Sequence, residues 1–303
     1  MCSVFFCMNP KKTVIVIAGP TAVGKTVFAI EVARYLQTEI ISADSRQCFR
    51  ELSIGVARPS EEELAAVPHH FIASHSIHDN VNAATFEQYA LTKASDLFKA
   101  KDVIVMSGGT GLYIRAFLEG LDSVPEIPAA IRDSILTDYE TGGLELLQEQ
   151  LKTSDPLFFA EGEVRNPHRV MRALEVVRAT GQSILAFHRK EKAERPFSVI
   201  KVCLELPRPV LYDRINTRVD AMMEAGLLEE VKSVAPFQKR NALQTVGYKE
   251  LFAYLAGEST LEEAVTQIKT ATRHYAKRQL TWFRNQQFQP LQVPKIEDIQ
   301  LPN

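Results

Sequence analysis

Gly19-Pro20-Thr21-Ala22-Val23-Gly24-Lys25-Thr26, GPTAVGKT, follows the apolar run Val14-Ile15-Val16-Ile17-Ala18. The spacing G-x-x-x-x-G-K-[ST] is that of a loop that cradles phosphate. Its glycines let the backbone turn so that N–H groups converge on an anion. Lys25 adds a point charge, and the Thr26 hydroxyl can reach a magnesium ion. A helix starting near Lys25 points its positive end at the same place. The motif lies between a strand and a helix, as its geometry demands. This predicts an α/β fold, a P-loop NTPase-like parallel sheet wound with helices. The stretch fixes phosphate binding but not the reaction. The usual ligand is a nucleoside triphosphate such as ATP, and the rest of the chain must decide whether that default holds.

Working outward, the alternation continues. Thr13–Ala18 reads as a buried strand, with a helix from the loop to about Leu36, a strand that opens at 39–41 and ends at Ser42-Ala43-Asp44-Ser45, a helix over 86–100 and an apolar strand over 102–107. After Leu121 the pattern changes. Pro125 and Pro128 punctuate, and from Ala129 to about Arg195 every segment has helical spacing. Residues 198–205 return to strand, and helices dominate to about Gln286. The expected domains are a discontinuous catalytic core, 1–122 with 197–303, and a helical insertion over 123–196.

Composition fits an ordinary globular chain: 303 residues, 46% hydrophobic and 24% charged. Cys2, Cys7, Cys48 and Cys203 show no C-x-x-C pair, which suggests a reduced, cytoplasmic setting. The apolar patch in MCSVFFCMNPKK is too short for a signal peptide, and its lysines lie on the wrong side. Net charge is −2, yet residues 264–295 hold six basic side chains and no acid, leaving −8 on the remainder. At roughly 100° per residue, Lys269, Arg273, Lys277 and Arg284 fall within about 80° of one another, with Ile268, Ala271, Tyr275 and Trp282 opposite. Leu280 interrupts the stripe. This face reads either as a phosphate-backbone reader or as a solvated helix face.

Three further positions bear on chemistry. Asp44 ends the second strand and would face the ligand of the loop, or else cap the next segment. The third strand ends in Ser107-Gly108-Gly109-Thr110, where a nucleoside triphosphatase often places a metal-binding acid. Thr110 instead offers a neutral hydroxyl for a phosphate oxygen; the alternative is a tight turn with a helix cap. Arg214 and Arg218 share a face of a helix expected over 210–225, as a phosphate clamp or as partners of Asp213 and Asp220. The seven histidines form no metal triad.

Taken together, GPTAVGKT, ISADSRQCFRELSIGVARPS, VPHHFI, SGGTGLYIRA, HRVMRALEV, QTVGYKEL and RHYAKRQLTWFRN resemble the tRNA dimethylallyltransferases, also called tRNA isopentenyltransferases, in order and spacing over nearly the whole chain. The sequence departs from that family at Val56, where Thr is usual, and at Arg58, where Lys is usual. It departs again at Val164-Arg165-Asn166-Pro167, where the family has His-Pro-Asn-Asp. The zinc-binding extension of eukaryotic relatives has no counterpart, which implies the bacterial type. The resemblance implies that residues 19–26 hold the diphosphate of dimethylallyl diphosphate, with Mg²⁺ on Thr26. It further implies transfer of the dimethylallyl group to N6 of the adenosine 3′ of the anticodon. It assigns Asp44 as base and Lys25, Thr110 and Arg218 to the departing diphosphate. Asp44, Ser45, Arg46, Gln47, Thr110, Arg132, Arg169, Gln244, Gly247, Lys249, Arg273, Lys277, Arg278 and Arg284 become the tRNA-facing positions. The implied partners are tRNA and dimethylallyl diphosphate, with a monomeric protein. The rival readings are an adenylate isopentenyltransferase and a small-molecule P-loop kinase.

Overall fold

The computed structural model describes residues 12–188 and 192–299; the N-terminal apolar patch, with Cys2 and Cys7, lies outside them. The elements run β1 (Thr13–Ala18), α1 (Lys25–Tyr35), β2 (Ile40–Ser42), α2 (Glu61–Ala66), β3 (His69–His70), α3 (Ala83–Leu97), β4 (Val103–Gly108) and α4 (Gly111–Glu119). Then follow α5 (Ala129–Ser154), α6 (Pro156–Glu161) and α7 (Pro167–Thr180). The chain ends with β5 (Ser198–Leu204), α8 (Arg208–Glu224), α9 (Leu227–Val234), α10 (Tyr248–Leu255), α11 (Leu261–Asn285) and β6 (Gln289–Leu291). The short edge strands β3 and β6 carry no alternating apolar pattern, and the sequence reading did not anticipate them.

All six strands are parallel, in the order β3-β2-β4-β1-β5-β6. The fold is the parallel α/β sheet expected from the phosphate loop. β1 lies between β4 and β5 and is buried along its length, which explains why TVIVIA shows no polar alternation. Successive side chains still point to opposite faces. Val14, Val16 and Ala18 join one apolar cluster with Met106, Phe86 and Phe117, while Ile15 and Ile17 join the other with Phe28, Val32 and Leu211. The two clusters are the two faces of one sheet, each covered by helices.

By internal packing the described residues fall into two units. One holds those up to Glu119 and from Glu194 onward; the other is Gly120–Ala193. The second unit has its own core, in which Leu147 and Leu151 of α5 meet Val170, Ala173 and Leu174 of α7. Gly143, at φ 63° and ψ −160°, interrupts α5 between its two helical stretches. Asn166 caps α7 from its side chain, with Pro167 at the first helical position, where its missing N–H costs nothing.

Candidate active site

The carboxyl ends of β1, β2, β4 and β5 open on one edge of the sheet, where ligands of open parallel sheets bind. There a cavity of about 660 Å³ is lined by the phosphate loop, by residues 44–47 and 55–59, by Ser107, Gly108 and Gly109, and by parts of α8 and α11.

The loop geometry explains its sequence. Gly19 has φ 146°, and a Cβ there would lie 2.8 Å from the Leu204 carbonyl, so β5 approaches too closely for any side chain. Gly24 takes φ 104° at the N-terminus of α1, offers no side-chain cap, and is followed by no acid in the first turn. The first N–H groups of α1 therefore keep their capacity for an anion. Lys25 folds over the loop, its Nζ donating to the Pro20 carbonyl at 2.8 Å. Burial pulls its pKa down to about 8, Arg218 adding to the effect and Asp44 opposing it. Burial outweighs the attraction of Asp44, so an anion bound beside Lys25 would favour its charged form. Arg218 donates to the Thr21 hydroxyl at 3.5 Å, and Arg214, one turn earlier, donates to the Val23 carbonyl at 3.4 Å. Burial, with Arg214 adding, lowers the pKa of Arg218 against the pull of Glu63. The two arginines thus bracket the loop.

Across the cavity, Asp44 does both things its position allowed. Its Oδ1 accepts the Arg46 and Gln47 N–H groups at 2.8 and 3.2 Å, which orients the carboxylate, while Oδ2 has no hydrogen bond among the described residues. The Thr110 hydroxyl accepts the Ser45 N–H at 3.1 Å and donates to Ser45 Oγ at 3.3 Å. Thr110 is thereby tied to the Asp44 side. The turn before it is tightly seated. A Cβ on Gly108 would come within 2.2 Å of the Ala43 carbonyl, and one on Gly111 within 2.5 Å of the Trp282 ring.

The other expected positions divide. Arg46, Gln47, Gln244, Gly247, Lys249 and Arg278 line the cavity. Gln47 also uses its amide on the Ala57 carbonyl at 2.9 Å, which shapes the wall. Arg132 and Arg169 lie in the Gly120–Ala193 unit, where Arg132 approaches Glu175 at 3.9 Å. The basic stripe on α11 divides, among the described residues, into paired and unpaired members. Lys269 pairs with Asp220 at 2.6 Å, Arg284 with Glu205 at 2.8 Å, and Arg273 donates to Asn216 at 3.2 Å and lies over the Tyr212 ring. That side packs on α8, with Ala276 and Leu280 in the apolar cluster beneath it, which is why Leu280 stands among the cations. Lys277 and Arg278 are exposed. Tyr275, assigned to the apolar back, lines the cavity instead. Although 36% of Tyr275 is exposed, its hydroxyl end is shielded, and this, with the Asp44 carboxylate adding, raises the hydroxyl pKa above the ordinary phenol value.

Several site residues escaped the sequence reading. Glu230 on α9 accepts the N–H groups of Ser53, Ile54 and Gly55 at 2.8–2.9 Å and the Tyr248 hydroxyl at 2.6 Å, holding the wall that continues through Val56 and Arg58. Arg58 itself donates to the carbonyls of Phe49, Arg50 and Leu52. Gln279 on α11 is buried between the phosphate loop and Gly109. Its signal was available: Ala276, Gln279 and Phe283 form one buried line at helical spacing, and a polar residue on such a line needs partners.

Comparison with known proteins agrees with this geometry. Residues 47–286 match the model of the IPP transferase family. The chain belongs to that family. It is 48% identical over 268 residues to the tRNA dimethylallyltransferase of Christiangramia forsetii, covering 88% of this chain and 89% of that one. With the enzyme of the same name from Cytophaga hutchinsonii it shares 46% over 272 residues, 90% of each chain. Among solved structures, the tRNA isopentenylpyrophosphate transferase of Bacillus halodurans superposes with a TM-score of 0.69 at 35% identity, covering 93% of this chain and 90% of that one. A eukaryotic dimethylallyltransferase acting on tRNA gives 0.75 at 25% identity, over 94% of this chain and 75% of that one.

Proposed function

We propose that this protein transfers the dimethylallyl group of dimethylallyl diphosphate to N6 of the adenosine immediately 3′ of the anticodon in tRNA. The single observation that carries the proposal is one cavity with two chemically opposite sides. A cationic site at Lys25, Arg218 and the N-terminus of α1 faces a carboxylate, Asp44, that is oriented through one oxygen and open at the other. Val219, Met222, Leu227, Val246 and Ile268 add an apolar wall suited to a five-carbon chain.

In this reading the C–O bond of the donor breaks and its electron pair leaves with the diphosphate. The N–H groups at the start of α1, Lys25 and Arg218 offset the charge that accumulates there. The N6 nitrogen forms the new C–N bond, and its proton passes to Asp44 Oδ2. The adenine must leave its stack to reach the cavity, with the residues around Ser45, Arg46 and Gln244 against the RNA. Among the described residues no group of three His, Cys, Asp or Glu could hold a metal alone. The Thr26 hydroxyl on the cavity wall, together with diphosphate oxygens, fits the habit of Mg²⁺, which borrows ligands from a substrate phosphate. The ion would supply further charge neutralisation on the leaving group.

The test is a transfer assay that offers anticodon stem-loop RNA and AMP as competing acceptors. The proposal expects prenylated stem-loop. AMP as an equally good acceptor would replace it with the free-nucleotide reading.

A further inference from the structure

Gln279 lies on α11, three residues before Trp282, and only 7% of it is exposed. Burying a side-chain amide is costly unless its oxygen and nitrogen both find partners. Both do, far away in sequence. Oε1 accepts the Thr21 N–H at 2.9 Å, and Nε2 donates to the Gly109 carbonyl at 2.9 Å. Thr21 belongs to the phosphate loop. Gly109 lies between Gly108, seated on the Ala43 carbonyl, and Thr110, bonded to Ser45. One planar amide therefore joins the two sides of the cavity. The fit leaves no slack: a Cβ on Gly109 would lie 2.3 Å from Nε2, which accounts for the glycine there.

We propose that Gln279 is a positioning residue for the transfer step. It sets the separation between the loop that holds the diphosphate and the Asp44 side of the cavity, to which the Gly109 turn is tied through Thr110 and Ser45; this rests on the function proposed above. Displacement at carbon requires the entering nitrogen, the carbon and the leaving oxygen to lie in line. A misplacement of about 1 Å can cost on the order of 10²-fold in rate. Gln279 makes both bonds to backbone groups of the loop and the turn, so it acts on the alignment of two bound substrates.

Two variants test this. Gln279→Met keeps the length of the side chain and loses both hydrogen bonds. Gln279→Glu keeps the shape; ionised, it lacks the donor for the Gly109 carbonyl, and protonated, it regains donor and acceptor together. The readouts are the single-turnover transfer rate to stem-loop RNA, the separate dissociation constants of donor and RNA, and the melting temperature. Gln279→Met is expected to slow transfer about 10- to 100-fold while both dissociation constants stay within about threefold. The rate of Gln279→Glu relative to wild type should climb as the pH falls, whereas the same ratio for Gln279→Met stays flat. A wild-type rate in Gln279→Met would overturn the inference. So would a loss confined to substrate binding, or a pH-independent ratio for Gln279→Glu. Failure of the wild-type protein to transfer at all would overturn the proposed function and this inference with it; variants that match an active wild type overturn this inference alone.

Discussion

The phosphate side of the cavity is built by eight consecutive residues, 19–26, whereas the facing side gathers Asp44 and Gly108–Gly109 from two strand ends, with Thr110 bonded to Ser45, and Tyr275 from a helix far along the chain, with Gln279 bridging the two. The first side works through backbone: positive φ at Gly19 and Gly24, and N–H groups aimed at an anion. The second works through side chains that hold one another, Asp44 to the backbone of Arg46 and Gln47, Thr110 to Ser45, Gln279 to Gly109. A backbone device needs neighbouring residues and so leaves a compact motif. A side-chain constellation can be assembled from any part of the chain and leaves none.

The sharpest way to break this division is at Asp44. Asp44→Asn keeps an oxygen that can accept the Arg46 and Gln47 N–H groups but removes the base. Single-turnover transfer should fall about 10²–10⁴-fold with RNA affinity largely kept. A rate near wild type would leave Asp44 as the cap of its own turn and nothing more.

Next in size is Lys25. Lys25→Ala should cost about 10²–10³-fold in the chemical step, because its partner gains charge as the C–O bond breaks. The same residue gives the phosphate side its own pH dependence. Lys25 binds an anion only while protonated, and burial holds its pKa near 8, below the ordinary 10.5. Affinity for inorganic diphosphate should be fully present below that value and decline as the pH rises through it. With one proton involved, the decline is at most about tenfold per pH unit. Lys25→Ala should abolish this pH dependence; its persistence would mean that another group governs the anion site.

The sequence disclosed the parallel sheet and the loop because each is written in contiguous residues: an apolar run without alternation, two glycines at fixed spacing, a lysine beside the second. Asp44 and Thr110 were legible because both stand at strand ends, where open sheets bind ligands. Helical spacing could mark Gln279 as buried, but not the partners of Gln279 or Glu230, which lie up to 258 and 177 residues away, distances that no local spacing encodes. The partners of the stripe on α11 were hidden for a related reason. A wheel ranks residues by angle but does not know that Asp220 of α8 meets Lys269, nor that Glu205, just past the end of β5, meets Arg284.

That division of the stripe yields the smallest predicted effect. Exposed ion pairs contribute up to about 1 kcal/mol, so Arg284 is held by Glu205 more as a compensated charge than as a brace. Lys277→Gln and Arg278→Gln should each reduce the slope of log K against log salt by about 0.7–0.9, with Arg284→Gln leaving it nearly unchanged. An equal change in all three would restore the broad stripe.

The most direct test of the central claim, that the phosphate loop serves a leaving group and the facing carboxylate a nucleophilic amine, is the stoichiometry of a single reaction. The protein is mixed with anticodon stem-loop RNA and dimethylallyl diphosphate, and released diphosphate is counted against prenylated adenosine. Equal amounts of the two products, with no phosphate released from ATP supplied instead, is the predicted result. Phosphoryl transfer from ATP with the RNA left unprenylated would contradict it.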